Sequence, residues 1–144
     1  MGAPLVDGLV DGLRSLAVAA REVSDTDVHV VVGPDDGSLE PTQAAVLVAA
    51  AREALTNVRK HARATRAVVY CEIAEGSAVV SVRDDGHGFD PRTQPRGTGL
   101  RESIEGRLAR VGGSALIESA PGAGTHVSLQ LPAHPGSPQL RLAR

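Results

Sequence analysis

Glu53, Asn57, Lys60 and His61 are separated by steps of four, three and one, so on an α-helix they share one stripe. The stripe presents a carboxylate, an amide, an ammonium and an imidazole. A solvated helix face also carries Glu and Lys, and that is the competing reading. It does not explain Asn57, because asparagine competes for backbone hydrogen bonds and is disfavoured inside a good helix. Donating a carbonyl oxygen to a hard divalent cation is a task that would keep it there. Mg²⁺ takes oxygen ligands, few of them from protein, and phosphates supply the rest.

A second cluster, Asp84-Asp85-Gly86-His87-Gly88-Phe89-Asp90, directly follows a strand-like run. A plain turn accounts for the glycines but not for two carboxylates at a strand end. A carboxylate fixed there can accept a hydrogen bond from an exocyclic amine, and the glycines let a ligand approach the backbone. A third, Gly97-Thr98-Gly99-Leu100, heads a helical segment, where backbone N–H groups attract phosphate. By itself that motif is weak; its weight comes from following the other two in order.

The elements that must position these clusters are legible from periodicity. Leu5, Leu9, Leu13, Leu16 and Ala20 recur at helical steps, weakened by Gly8 and Gly12. Val28 to Val32 reads as a strand ending in the turn Gly33-Pro34-Asp35-Asp36-Gly37. Pro41 opens a helix running to about Ala62, with Val46, Leu47, Ala50, Ala54, Leu55 and Val58 on its apolar side. Arg66–Ala74 and Ala78–Arg83 read as a hairpin, and Asp84–Gly99 as a functional loop. Leu100–Val111 reads as a helix stopped by Gly112-Gly113. Strands Ser114–Ser119 and Thr125–Leu131 follow, joined by Pro121-Gly122-Ala123-Gly124. This order predicts an α+β, two-layer sandwich with helices on one face of a mixed sheet.

Composition narrows the function. The 144 residues suit one domain, 42% apolar and 22% charged. Tyr70 and Phe89 are the only aromatic residues, so Ala, Val and Leu must fill the core, and stacking platforms for single-stranded nucleic acid are missing. A net charge of −2 without a basic run gives no support for DNA or membrane-surface binding. The lone Cys71 lies in an apolar, β-branched run and reads as a small core residue. The N-terminus lacks the basic start of a signal peptide, and no stretch is apolar enough to span a membrane.

Taken together, these residues resemble a known family. Arg52 to Ala62, reading Arg-Glu-Ala-Leu-Thr-Asn-Val-Arg-Lys-His-Ala, resembles the N box of the ATP-binding catalytic domain of bacterial two-component sensor histidine kinases. Asp84 to Asp90 resembles its G1 box, with Asp85 where many members have Asn. Gly97 to Leu100 resembles the G2 box, and Gly122-Ala123-Gly124-Thr125 the closing glycine motif. The likeness covers roughly Thr26 to Pro132, and the phrasing from Glu53 to Ala62 is similar to kinases paired with nitrate/nitrite-type regulators. It implies the Bergerat fold shared with gyrase, Hsp90 and mismatch-repair ATPases, and Mg²⁺ with ATP as ligand. It further implies that Asn57 coordinates Mg²⁺, and that Glu53 polarises a metal-bound water or acts as general base. Lys60 and His61 would face the phosphates. Asp84 would accept from the adenine amine, with Gly86 and Gly88 shaping the pocket floor. Pro91–Arg96 would be a short lid, Gly97, Thr98, Gly99 and Leu100 would meet the phosphates, and Thr125 would support the adenine end.

Two departures stand out. Arg101 to Arg107 differs from the Met-Arg-Glu-Arg pattern common in that subfamily, and none of the five histidines looks like a phosphoacceptor. His29 and His126 lie in strands, His61 and His87 in ATP motifs, and His134 in the tail. The implied partners are therefore a phosphoacceptor-histidine domain, in the same parent or a separate protein, and a response regulator. The expected organisation is 1–25 as an N-terminal helix or the end of a dimerisation region, 26–132 as the ATPase unit, and 133–144 as a disordered tail. The isolated domain is expected to be monomeric and cytoplasmic, alone or as the cytoplasmic part of a membrane-bound sensor. The alternative is an anti-sigma factor with serine kinase activity, which shares the fold and a similar Glu-x-x-x-Asn helix.

Overall fold

The computed structural model describes residues 8–35, 39–59, 63–74, 76–90 and 95–132. Five strands form one mixed sheet in the order β1-β2-β3-β5-β4. They are β1 (Asp27–Asp35), β2 (Arg66–Ala74), β3 (Ser77–Asp84), β4 (Ser114–Ser119) and β5 (Thr125–Leu131). β1 pairs parallel to β2, and the remaining pairs are antiparallel. Among the described residues, helices α1 (Gly8–Val23), α2 (Pro41–Asn57) and α3 (Pro95–Ala109) pack on one face.

Strict alternation decides which face. Ala67, Val69, Cys71 and Ile73 of β2 are buried, as are Ala78, Val80 and Val82 of β3 and Val127, Leu129 and Leu131 of β5. Register places Val69 beside Val82 and Val80 beside Leu129, so these rows form a continuous apolar floor. Onto it α2 lays Ala44, Leu47, Ala50, Ala51, Ala54 and Leu55, and α3 lays Ile104 and Leu108. With so few rings available, close approach by alanines takes the place of large side chains. The same logic explains a glycine that weakens α1 as a helix: a Cβ at Gly12 would collide with Val48 of α2.

The boundaries differ from expectation in two places. β1 runs on through Gly33, Pro34 and Asp35, with a register shift after Val32. As an edge strand it tolerates proline, and the Tyr70 hydroxyl sits where a Gly33 side chain would be. Past Asn57 the backbone stays helical at Val58, and Lys60, His61 and Ala62 lie outside the described residues, as do residues 91–94 of the expected lid Pro91–Arg96 and the tail at 133–144. α3 begins at Pro95, five residues before Leu100, because a proline is well suited to the first helical turn. It closes with Gly113 N–H donating to Leu108 O at 2.8 Å and Gly112 at a φ of 75°.

Candidate functional site

Asp84 ends β3 on the helix-covered face, directly across from Thr125 at the start of β5. Both are buried, each 5% exposed. The Gly86 N–H donates to Asp84 Oδ1 at 2.8 Å. Burial pushes the Asp84 carboxyl above its usual pKa, and Asp85 adds to the rise, while the N–H groups of Gly86 and Thr125 pull it back. An ionised carboxylate offers about four acceptor positions, so two N–H donors leave capacity for a third. A buried acceptor with spare lone pairs suits an amine-bearing ligand better than it suits an apolar core.

The turn between β4 and β5 braces this corner. Ser119 Oγ accepts from Phe89 N–H at 2.8 Å, donates to Gly124 O at 2.9 Å and lies 2.9 Å from Thr125 Oγ1. Gly122 N–H donates to His87 O at 2.6 Å. A Cβ at Gly88 would overlap Ala120 O, so that glycine is required by the neighbouring turn, a different reason from ligand access.

Asp85 points elsewhere. Its carboxylate accepts from Thr65 N–H at 2.9 Å, Thr65 Oγ at 2.7 Å and Arg66 N–H at 2.9 Å, fastening the start of β2. The Thr65 hydroxyl, followed by the Arg66 N–H, holds its pKa below the usual carboxylate value. An acid with a depressed folded pKa stabilises above its unfolded pKa of about 3.9, and that stability is lost as pH falls through the folded value. The stability gap between wild type and Asp85→Ala, measured by denaturant titration, should be constant from pH 7 to about 5 and close below about pH 4. A gap unchanged at the acid end would contradict this role.

On α2, Glu53 and Asn57 are part-buried and one turn apart. Glu53 reaches α3: Ser103 Oγ lies 2.9 Å from both carboxylate oxygens, and Arg107 Nε 3.2 Å from Oε1. Gly97, Thr98 and Gly99 lie within the opening turns of α3, where an expected loop would have stood. A helix leaves only its first N–H groups unpaired, so Gly97 is better placed to offer one than Gly99. Leu100 is 8% exposed and belongs to the core. His29 is on exposed β1 beside Asp27 at 2.9 Å. His126 lies on β5 between Arg83 at 3.3 Å and Glu118 at 3.5 Å, and burial, then Arg83, lowers its pKa.

Sequence reasoning missed Thr65, Ser103, Arg107 and Ser119. Ser103 and Arg107 do carry a signal, being one turn apart on a helix, but their partner is fifty residues away in sequence.

A mixed sheet with helices on one face defines an α+β sandwich, with a buried carboxylate at a strand end and a helix N-terminus nearby in sequence. The family model described as "Histidine kinase-, DNA gyrase B-, and HSP90-like ATPase" matches residues 42–135, and the chain belongs to that family. Sensor histidine kinase LiaS of Bacillus subtilis is 28% identical over 89% of this chain and 35% of its own length. Signal transduction histidine-protein kinase/phosphatase DegS of Brevibacillus brevis is 31% identical over 56% of this chain and 21% of its own. The chain thus spans about a third or less of these relatives. The ATP-binding domain of PrrB from Mycobacterium tuberculosis superposes with a TM-score of 0.62 at 25% identity, covering 86% of this chain and 93% of that one. The histidine kinase domain of a blue-light activated kinase from Erythrobacter litoralis has the same fold, with a TM-score of 0.62 at 22% identity over 83% of this chain and 58% of that one. The chain is homologous to the ATP-binding catalytic domain of sensor histidine kinases, and the anti-sigma alternative gains no support. Among the described residues, no helix is long and apolar enough to cross a membrane.

Proposed function

We propose that this chain binds Mg²⁺–ATP and supplies the catalytic half of a sensor histidine kinase. It passes the γ-phosphoryl group to a histidine outside this chain, from which a response regulator receives it. The observation that carries this is the buried Asp84 carboxylate, whose two backbone donors leave acceptor capacity for an adenine amine. Thr125 backs it across the sheet, and the α3 N-terminus bearing Gly97 offers N–H groups to phosphate. Asn57 would hold Mg²⁺ with Glu53 beside it, and Lys60 and His61 would face the phosphates. The metal, once bound, neutralises charge on the phosphates in a transfer that depends chiefly on positioning. The phrasing from Glu53 to Ala62 supports the finer assignment to kinases paired with nitrate/nitrite-type regulators. In this reading residues 26–132 form the ATPase unit, 1–25 are an N-terminal helix or the end of a dimerisation region, and both lie on the cytoplasmic side.

Calorimetric titration with ATP, with and without Mg²⁺, tests the reading. Wild type should bind more tightly with the metal. Asn57→Ala should lose at least about tenfold of that enhancement, by the magnitude typical of altered metal sites, while Mg²⁺-free affinity stays put. Equal enhancement in both proteins would remove Asn57 as the metal ligand.

A further inference from the structure

The contact between Glu53 and α3 has a consequence for how the metal end of the site is organised. A serine hydroxyl has one proton, so Ser103 gives Glu53 a single bifurcated bond across both oxygens at 2.9 Å. Arg107 Nε adds a second donor on Oε1 at 3.2 Å. The ion pair is partly open to water, with side chains 44% and 31% exposed, and such pairs contribute little to stability. Both helices are also held by buried apolar residues in one common core, Ala51 and Ala54 of α2 and Ile104 and Leu108 of α3. What the two donors do restrict is the Glu53 side chain, which has three rotatable bonds and would otherwise sample several staggered positions.

We infer that Ser103 and Arg107 are positioning residues for Glu53. They clamp its carboxylate against α3 in one orientation, so that the lone pairs left over are presented at one place, a turn from Asn57. Both donors ride on the helix whose first turns carry Gly97 and Thr98. The orientation of Glu53 is therefore tied to the placement of α3 and, through it, to the phosphate end of the nucleotide. This deepens the Mg²⁺–ATP reading above and rests on it.

The test is the Mg²⁺ enhancement of ATP affinity, read by calorimetry on the full chain, together with melting temperature. Ser103→Ala should reduce the enhancement at least threefold, with Mg²⁺-free ATP affinity and melting temperature near wild type. Ser103→Thr, which keeps the hydroxyl, should restore it, and Arg107→Met should reduce it in the same way. Glu53→Gln should lower the enhancement, and Ser103→Ala added to Glu53→Gln should change nothing more. An enhancement within experimental error of wild type in Ser103→Ala overturns the proposal. So does an equal loss in the Glu53→Gln background, since Ser103 would then act without Glu53. Failure of the underlying reading shows separately, in the unmutated protein, as ATP binding that Mg²⁺ does not strengthen, and that result also overturns the clamp.

Discussion

Asp84→Asn is expected to weaken ATP binding about a hundredfold while leaving the domain folded. A hydrogen bond to an ionised acceptor contributes about 1.5–3 kcal/mol, and replacing the carboxylate by an amide can set an N–H₂ group against the adenine amine, which adds the cost of unpaired donors. Together, about 3 kcal/mol corresponds to roughly two orders of magnitude in affinity. Inosine triphosphate, which lacks the exocyclic amine, is the comparison ligand. Wild type should prefer ATP strongly, and Asp84→Asn should not. Folding should survive for an electrostatic reason. Burial raises the Asp84 pKa, so its ionised form costs stability above the raised value and nothing below the ordinary one. The amide relieves that cost at pH 7, offsetting the loss of about 1 kcal/mol from a backbone hydrogen bond. The melting temperature should stay within about 5 °C of wild type. Undiminished ATP affinity in a folded Asp84→Asn protein would mean that the adenine end lies elsewhere.

Gly124→Ala should, with Gly88→Ala, be among the most damaging single methyl additions in the described fold. Gly124 has a φ of 74°, in the left-handed region, and a Cβ there would overlap the Asp84 carbonyl oxygen. A non-glycine residue held in that region costs about 1–3 kcal/mol, and forcing apart packed backbone costs about as much again. The sum, about 3 kcal/mol or more, is a large part of the 5–15 kcal/mol that typically separates folded from unfolded. The carbonyl displaced belongs to Asp84, so ATP affinity should fall with stability. Gly122 supplies the control. Its φ is 80°, yet nothing lies within 4 Å of where its Cβ would be. Gly122→Ala should therefore show only the conformational cost, about 1–2 kcal/mol, in a denaturant titration, with ATP affinity unchanged. Similar losses at the two positions would show that backbone conformation, and not the close approach to β3, makes Gly124 necessary.

Much of this protein is legible in its sequence. Alternation in Ala67–Ile73 and Ala78–Val82 determined the hairpin and its buried face, because in a strand each side chain's face follows from its parity alone. The helical spacing of Leu47, Ala50, Ala54 and Leu55 determined which side of α2 meets the sheet, and the same spacing put Glu53 and Asn57 on a common stripe. Local signals were less dependable at element ends. Gly33-Pro34 reads as a turn, yet the sheet edge keeps it extended, since an edge strand asks less of its N–H groups. Gly97 and Gly99 read as loop, yet Pro95 starts α3 ahead of them.

What only the tertiary structure decided are the partners of the polar side chains. Asp84 is buried opposite Thr125, and its neighbour Asp85 is tied to Thr65 and Arg66, nineteen and more residues away in sequence. Parity puts Asp84 on the buried face with Val80 and Val82, but the partners of Asp85, just past the end of β3, follow only from how the start of β2 is laid beside it. Glu53 reads equally as a solvated residue or a site residue until α3 is laid beside α2 and brings Ser103 and Arg107 to it. Periodicity is a property of neighbours along the chain and survives in the sequence. A hydrogen bond between residues fifty apart depends on where two helices come to rest, and that is set by the sum of many weak apolar contacts that no single segment contains.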